Sequence, residues 1–472
     1  MKTLVFAIAV LGACAVSAAD EGTVRAKWFE TDISPKIGTL VAGYEAHDVS
    51  VEQVDPLYAS GLFLESGDRK ALLVSLDLLG IDAPVLREFR QGLAKILEIP
   101  EEYVMLTCTH THGGPHTRMR NEGDVQMLLN FSLDRDTPPG LDVAYLKQLR
   151  TWLYDSARAL KEKKGCEVKV GFYSSSVDQN SNRRFTTADN CASFIAHRRI
   201  LQKIATGIAD KEFGVVALLD ATSRAPVYVI GNYAAHPLAG HGPGTGGLRI
   251  SADFPGFFRR YVKAETGATA MFVQGACGDV IPKGDELGLN AARRVGEALG
   301  EEALASIIDI QRNSARFVFT RPRLAASIRS IESEIRENQR RYYDGDKVKL
   351  EIQSLSIGDV AFVGVPGELV NELGLEMKWH SPYKRTFIAY CATDYFGYIS
   401  PRNFVAAGGY EPQSQRFASR DSLRLVGLAA DTLSETRALA FPEDSVGRNP
   451  YPDNQLLPLV NLPGGVKGTK KK

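Results

Sequence analysis

The chain has 472 residues, 44% hydrophobic and 24% charged, which is ordinary globular usage with chain enough for a large core. Lys+Arg and Asp+Glu both total 56, so no net charge draws the protein toward nucleic acid or an anionic membrane, and no nucleic-acid partner is expected. Residues 1–19 read as an export signal: a short positive start, the apolar run LVFAIAVLG, and small residues in VSAAD for cleavage. No segment reaches the roughly 18 uninterrupted apolar residues that a membrane helix needs. A periplasmic or secreted location is expected, and LGAC at residues 11–14 adds the alternative of a lipoprotein anchored through Cys14. Beyond Cys14 the remaining cysteines, Cys108, Cys166, Cys191, Cys277 and Cys391, are far apart and contain no CxxC, so neither a disulfide scaffold nor a cysteine zinc site is expected. Three of them, Cys108, Cys277 and Cys391, sit in apolar runs and read as small core residues.

Taken in chain order, GLFLES and ALLVSLDLLG read as strands, and APVLREFRQGLAKIL reads as a helix. VMLTCTH follows as a buried strand, AYLKQLRTWLYDSARALKEKK as a long helix, and KVGFYSS, GVVALLD, PVYVIGNYAAH and ATAMFVQGA as further strands. FPGFFRRYVKAET and GLNAARRVGEALGEEALASIID are helices; VKLEIQSLSIGDVAFVGVPGE is a hairpin turning at Gly358 and Asp359. ELVNELGLEMKWH then reads as a helix and RTFIAYCA as a strand. The fold class expected is α/β, a mixed β-sheet core flanked by helices, with the site at strand ends. The domain expectation is one hydrolase domain over 20–440, followed by a Pro/Gly-rich tail over 441–472.

Eight histidines serve the whole chain, and YVMLTCTHTHGGPHT places His110, His112 and His116 within seven positions. Residues two apart on a strand share a face, so His110 and His112 are expected to point one way at the end of VMLTCTH. Two imidazoles on one face suit a metal such as zinc, which needs about three protein ligands and one open position when catalytic. A pair of surface histidines near a turn is the plainer alternative. PVYVIGNYAAHPLAGHG ends a second strand on His236, with His241 in the Gly-rich loop beyond. VGVPGELVNELG places Glu368 on the expected first helical turn, where a bare dipole effect would also account for a glutamate. TDYFGYISPRNFVAAGGYE offers Tyr395, Tyr398 and Tyr410 in a Gly-rich loop. Asp279, in QGACGDVIP, is a candidate to orient a ligand histidine or to cap a turn. Asp253, in SADFPG, reads as a helix cap. Arg183 and Arg184, in QNSNRRFTTADN, are candidates to hold a substrate oxygen, or are solvated loop charges.

In this order, THTHGGPHT, GNYAAHPLAG, SADFPG, QGACGDVIP, GVPGE and GYIS resemble the catalytic domain of the neutral/alkaline non-lysosomal ceramidases, over about residues 25–440. The resemblance implies a zinc amidohydrolase that cleaves the N-acyl bond of a ceramide-type lipid. It implies His110, His236, Glu368 and Tyr398 as zinc ligands, Tyr410 as a further active-site tyrosine, Arg183 (before Arg184) near the reacting carbonyl, and His112 beside the metal. Two departures from that family stand out. Ile281 occupies the place of the family's serine, and isoleucine has neither a proton to give nor a lone pair to attack with, so an acyl-enzyme through this position is excluded. The C-terminal β-sandwich that the family carries beyond its catalytic domain is also not expected within these 472 residues.

The expected function is therefore hydrolysis of an N-acyl amide by zinc-activated water, with His112 taking or relaying the water proton and Tyr410 or Arg183 steadying the oxyanion. The substrate is expected to be a lipid or another small molecule; the oligomeric state is left open. A zinc hydrolase of an ester, lactone or sugar-linked amide is one alternative. A zinc-containing binding protein without turnover is another, and the Ile281 departure favours it.

Overall fold

The computed structural model describes residues 22–43, 49–118, 142–186, 192–194, 207–238, 248–284, 288–343 and 345–444. The export signal, Cys14, Cys191, His241, the loop 240–247 and the tail beyond 444 lie outside the described residues.

Eight strands form the main sheet: β1 (Val24–Asp32), β2 (Tyr58–Ser66), β3 (Arg69–Leu76), β4 (Val104–Cys108), β5 (Cys166–Ser176), β6 (Glu212–Asp220), β7 (Pro226–Tyr233) and β8 (Thr269–Gln274). Their spatial order is β8-β7-β6-β5-β1-β2-β3-β4. The pairs β3–β4 and β7–β8 are parallel and the other neighbours antiparallel, so the sheet is mixed as expected. A second sheet follows in the order β9 (Leu324–Glu334), β10 (Lys347–Ile357), β11 (Val360–Gly364), β12 (Arg385–Ala389).

The period of two along a strand divides the core into layers. On β6, Val215, Ala217 and Leu219 pack toward helices α3 (Asp253–Thr266) and α4 (Leu289–Arg312), meeting Phe258, Val262, Val295 and Leu299. The alternate residues Val216 and Leu218 face the second sheet, against Leu355, Phe362 and Phe387. At the other end of the main sheet, Leu72 and Val74 of β3 pack with α1 (Ala83–Leu97) and α2 (Val143–Glu162) through Phe89, Leu93, Leu146 and Leu149. The outer face of the second sheet is closed by α6 (Asp421–Ala440), which buries Leu425, Ala429 and Leu433. Between them, α5 (Asn371–Trp379) follows β11. Among the described residues no helix is long and apolar enough to cross a membrane.

The main sheet curls until its two edges approach. The Ser75 hydroxyl on β3 donates to the Phe272 carbonyl on β8 at 2.6 Å. Tyr390, just beyond β12, stitches both edges: its N–H donates to the Gln274 carbonyl at 3.1 Å, and its carbonyl accepts from Thr107 Oγ1 at 2.7 Å. The C-terminal ends of β4, β7, β8, β11 and β12 thus converge, although β4 and β8 are the opposite edges of one sheet.

Two local expectations need correction. The strand VMLTCTH stops at Cys108, and His110 lies beyond it with φ 64°, in the left-handed region. Glu368 is not on a helical turn. It forms a two-residue parallel ladder, Glu368–Leu369 with Tyr398–Ile399, and α5 begins only at Asn371. Helix-dipole complementarity therefore does not explain this glutamate. Asp253 opens α3 with φ 57°, and its carboxylate accepts from the Phe254 N–H at 2.6 Å. β1, β9 and α6 are present although the sequence reading did not name them.

Candidate metal centre

Three imidazoles meet at these strand ends. His110 Nε2 lies 3.0 Å from His236 Nε2, and His236 Nε2 lies 3.2 Å from His112 Nε2. His110 and His112 converge, but not by strand alternation. The left-handed backbone of His110, held by its N–H to the Leu78 carbonyl at 2.9 Å, turns its ring inward. Such a backbone costs an L-residue of order 1 kcal/mol or more and persists where its surroundings over-determine it. His112 reaches the same point from the following turn. Gly43, at φ 89°, leaves the room: a Cβ there would collide with the His112 ring.

The far nitrogens fix the tautomers. His110 Nδ1 lies 2.7 Å from the Leu79 carbonyl and His236 Nδ1 lies 3.1 Å from the Cys277 carbonyl. A carbonyl only accepts, so each Nδ1 carries the hydrogen and each Nε2 presents a lone pair to the centre. Burial first, then the neighbouring His110, holds His236 well below the ordinary imidazole range and so neutral. Glu368 adds a carboxylate, with Oε2 3.3 Å from His110 Nε2 and 3.8 Å from His236 Nε2. Burial opposes its ionisation, but positive charge on its histidine side, at His110 first, and the Tyr395 hydroxyl outweigh burial and hold the carboxyl well below its usual range. The Tyr395 hydroxyl donates to Glu368 Oε1, and the Tyr390 hydroxyl lies 3.5 Å from Oε2.

Facing lone pairs at 3.0 Å repel unless positive charge lies between them. A proton satisfies one pair, whereas a metal ion satisfies the three nitrogens and the carboxylate together. Metal–nitrogen bonds of about 2.0–2.1 Å at tetrahedral angles set ligand nitrogens roughly 3.3 Å apart, close to the spacings here. His110, His112 and His236 are the group among the described residues able to hold a metal ion, and Glu368 Oε2 borders it.

Arg183 and Arg184 are separated by the structure. Arg183 Nε donates to Glu411 Oε1 at 2.9 Å, and its Nη2 reaches the Tyr398 hydroxyl at 3.0 Å and the Gly278 carbonyl at 2.8 Å. Arg184 turns away, to Glu411 Oε2 at 2.6 Å and to a stack on Phe404 at 4.0 Å. Both guanidinium groups are buried, so neither is a solvated loop charge. Tyr398 sits in register with Glu368 and 5.3 Å, ring to ring, from the half-exposed Tyr410. Burial, then the charge of Glu368, keeps the Tyr398 phenol well above its usual value.

The Asp279 carboxylate contacts backbone and amide groups. Oδ1 accepts from the Asn371 N–H at 2.7 Å, opening α5, and Oδ2 accepts from Asn182 Nδ2 at 2.6 Å. Burial pushes this carboxyl up to about 6. The main chain, not Asp279, orients the two histidines. Ile281 is buried in a short ladder opposite Ser181. Sequence reasoning assigned no role to Glu411, the buried partner of both arginines, or to Tyr390 and Tyr395 on Glu368. For Glu411, its place beside Tyr410 in GGYE was the one available signal.

No protein-family model and no curated protein matches the chain. Among solved structures it is similar to neutral ceramidase from Pseudomonas aeruginosa, at TM-score 0.69 and 16% identity, over 90% of this chain and 75% of that one. It is likewise similar to a ceramidase complexed with C2, at TM-score 0.68 and 17% identity, over 89% and 75% of the two chains. The fold is that of the neutral ceramidases. In this ceramidase fold the histidine cluster occupies the converging strand ends of the curled sheet.

Proposed function

We propose that the chain is an exported zinc-dependent hydrolase of the neutral ceramidase group, cleaving an N-acyl amide of ceramide type or a related acyl lipid. One observation carries the reading: in a ceramidase fold, three imidazole Nε2 atoms and a carboxylate oxygen converge, with the lone pairs of His110 and His236 facing. His110, His236 and Glu368 would hold the ion, His112 would close its more open side, and Tyr398 is the further ligand the sequence resemblance implies. Bound there, zinc supplies Lewis acidity and an activated water.

The chain's own groups divide the remaining work. His112, half-buried where His110 and His236 are buried, is placed to take a water proton at Nε2 when not engaged by the ion. Arg183, neutralised on one side by Glu411, directs Nη2 toward Tyr398 and is placed to steady negative charge on an acyl oxygen. Tyr410 forms the outer wall and offers a phenol O–H to the same oxygen. Asp279 positions Arg183 indirectly: its carbonyl accepts the Arg183 N–H at 2.8 Å, and its carboxylate holds Asn182. Ile281 offers no nucleophile, so direct attack by water is the chemistry left.

Elemental analysis of the purified protein, with a panel of N-acyl lipids and chromogenic esters, tests this reading. About one zinc per chain and chelator-sensitive release of fatty acid from the N-acyl lipids is the expected result. Ester cleavage without amide cleavage would move the assignment to another bond. Zinc without turnover on any substrate would favour the binding-protein alternative that the Ile281 departure raises.

A further inference from the structure

Arg118 ends the stretch THTHGGPHTR, and neither the metal set nor the carbonyl-facing groups use it. Its Cζ stacks 3.9 Å over the ring of Tyr395, whose hydroxyl bonds Glu368. One aromatic ring therefore separates the guanidinium from the carboxylate of the metal cluster. Gly80 permits the stack, since a Cβ there would meet Tyr395 Cδ2 at 2.7 Å and Arg118 Cδ at 3.3 Å.

The other arginines around the centre have partners. Arg183 and Arg184 share Glu411, Arg259 holds Asp77, and Arg416 reaches the Tyr395 carbonyl at 3.4 Å. Arg118 forms no ion pair among the described residues, and its Nε is buried without an acceptor. A half-buried cation without an acidic partner is costly, and an arriving anion relieves that cost. The charge of Arg118 also opposes the rise of the Tyr410 phenol that burial and Glu368 drive, so the guanidinium lies within electrostatic reach of both tyrosine walls. Stacking on a ring face leaves the edge of the guanidinium fork available, and that edge matches a carboxylate with two parallel N–H···O bonds.

We infer that Arg118 selects substrates whose amine half carries a carboxylate, so that the chain acts on N-acyl amino acids as a substrate class; this rests on the hydrolase reading above. In the reaction the amide C–N bond breaks, the water oxygen joins the acyl carbon, and a proton goes to nitrogen, giving a fatty acid and an amino acid. The α-carboxylate stays on the leaving amine and pairs with Arg118.

The test compares N-dodecanoylglycine with N-dodecanoylethanolamine, which share an acyl chain and differ in the carboxylate, on the zinc-loaded full-length protein. Wild type is expected to favour the glycine amide in kcat/KM by about tenfold, the size of one charge-assisted contact, carried mainly by KM. R118Q is expected to erase that ratio and R118K to restore part of it. A ratio shields the result from any general loss caused by disturbing Tyr395. A wild-type ratio near one, or a ratio unchanged in R118Q, overturns the inference. Should neither amide be cleaved, calorimetric titration of the same two compounds decides. Arg118-dependent preference for the glycine amide would then sustain the inference while the hydrolase reading falls, and equal binding would overturn the inference as well. Melting curves confirm that each variant is folded; if R118Q is not, the wild-type ratio and R118K carry the test.

Discussion

Asp77 and Glu368 are both buried carboxylates close to the histidine loop, and they differ in what completes them. Asp77 Oδ1 accepts from Arg259 at 2.8 Å and Thr109 at 3.2 Å, and Oδ2 accepts from the Tyr58 N–H at 2.8 Å and a second Arg259 N–H. That cluster is closed on itself: charge is balanced and the acceptors are met inside the chain. Around Glu368 the chain supplies phenol hydroxyls on one side and bare imidazole nitrogens on the other, and the nitrogens face each other. Burial is similar in the two clusters, so burial alone does not mark a functional site. What marks it is an excess of acceptors over donors, which only a cation from outside can correct.

The sharpest way to break this contrast is to remove an acceptor from the open cluster. His110→Ala or His236→Ala is expected to lower bound zinc to below about one per ten chains. Hydrolysis should fall at least about a thousandfold, near 4 kcal/mol in barrier. Elemental analysis and initial rates read both, and a variant that is active yet metal-free would remove the basis for the metal centre. His112→Ala and Tyr398→Phe then rank the two flanking groups: whichever loses more zinc is the ligand, and the other should lose rate while keeping metal.

Asp77→Ala should do the opposite. It strands the Arg259 guanidinium, and breaking one side of a buried pair costs about 3–5 kcal/mol. Melting should fall by a similar amount with and without chelator, because no part of that cluster waits for a metal. For wild type, chelation alone should lower stability by about 2.7 kcal/mol where free zinc had stood a hundredfold above its dissociation constant. His110→Ala should show no chelator-dependent loss. A chelator effect of equal size in that variant would mean that the ion sits elsewhere.

The contrast also explains what could be read from the sequence. APVLREFRQGLAKIL begins and ends as α1 does, since apolar residues at helical spacing and a Pro at the start outweigh the single internal glycine, Gly92, which packs against Tyr154. The hairpin turning at Gly358 and Asp359 was equally legible, with Gly358 at φ 55° where the turn requires it. Local pattern served less well for β1, whose residues alternate only loosely between buried and half-exposed. Glu368 was found as a residue but misplaced on a helix, because the two-residue ladder that holds it depends on Tyr398, thirty positions on. His110 and His236 were legible as strand-end histidines. Their meeting required the curl that brings the two edges of one sheet together through Tyr390, and no local signal carries that. The carbonyls of Leu79 and Cys277, which set both tautomers, are main-chain groups and have no side-chain signature at all.

Asp394 tests the comparison at its smallest scale, because it stands between the two cases. One of its oxygens accepts from the Ala83 and Tyr395 N–H groups, both at 2.7 Å. Burial, then the charge of Asp82, pushes the carboxyl up to about 7. A raised folded value means that the native state binds the proton more tightly than the unfolded chain does. The stabilisation is therefore fullest below the unfolded value near 3.8 and is lost as pH rises through about 7. Between pH 5 and pH 8 the group should cost the wild type on the order of 2 kcal/mol of stability. Asp394→Asn keeps an acceptor for the two N–H groups but cannot ionise, so the difference between its melting curves at the two pH values should be smaller by that amount. The variant should therefore gain on wild type at pH 8 and not at pH 5. Equal pH dependence in the two proteins would show that Asp394 is completed within the chain, as Asp77 is, and would place the line between closed and open clusters elsewhere.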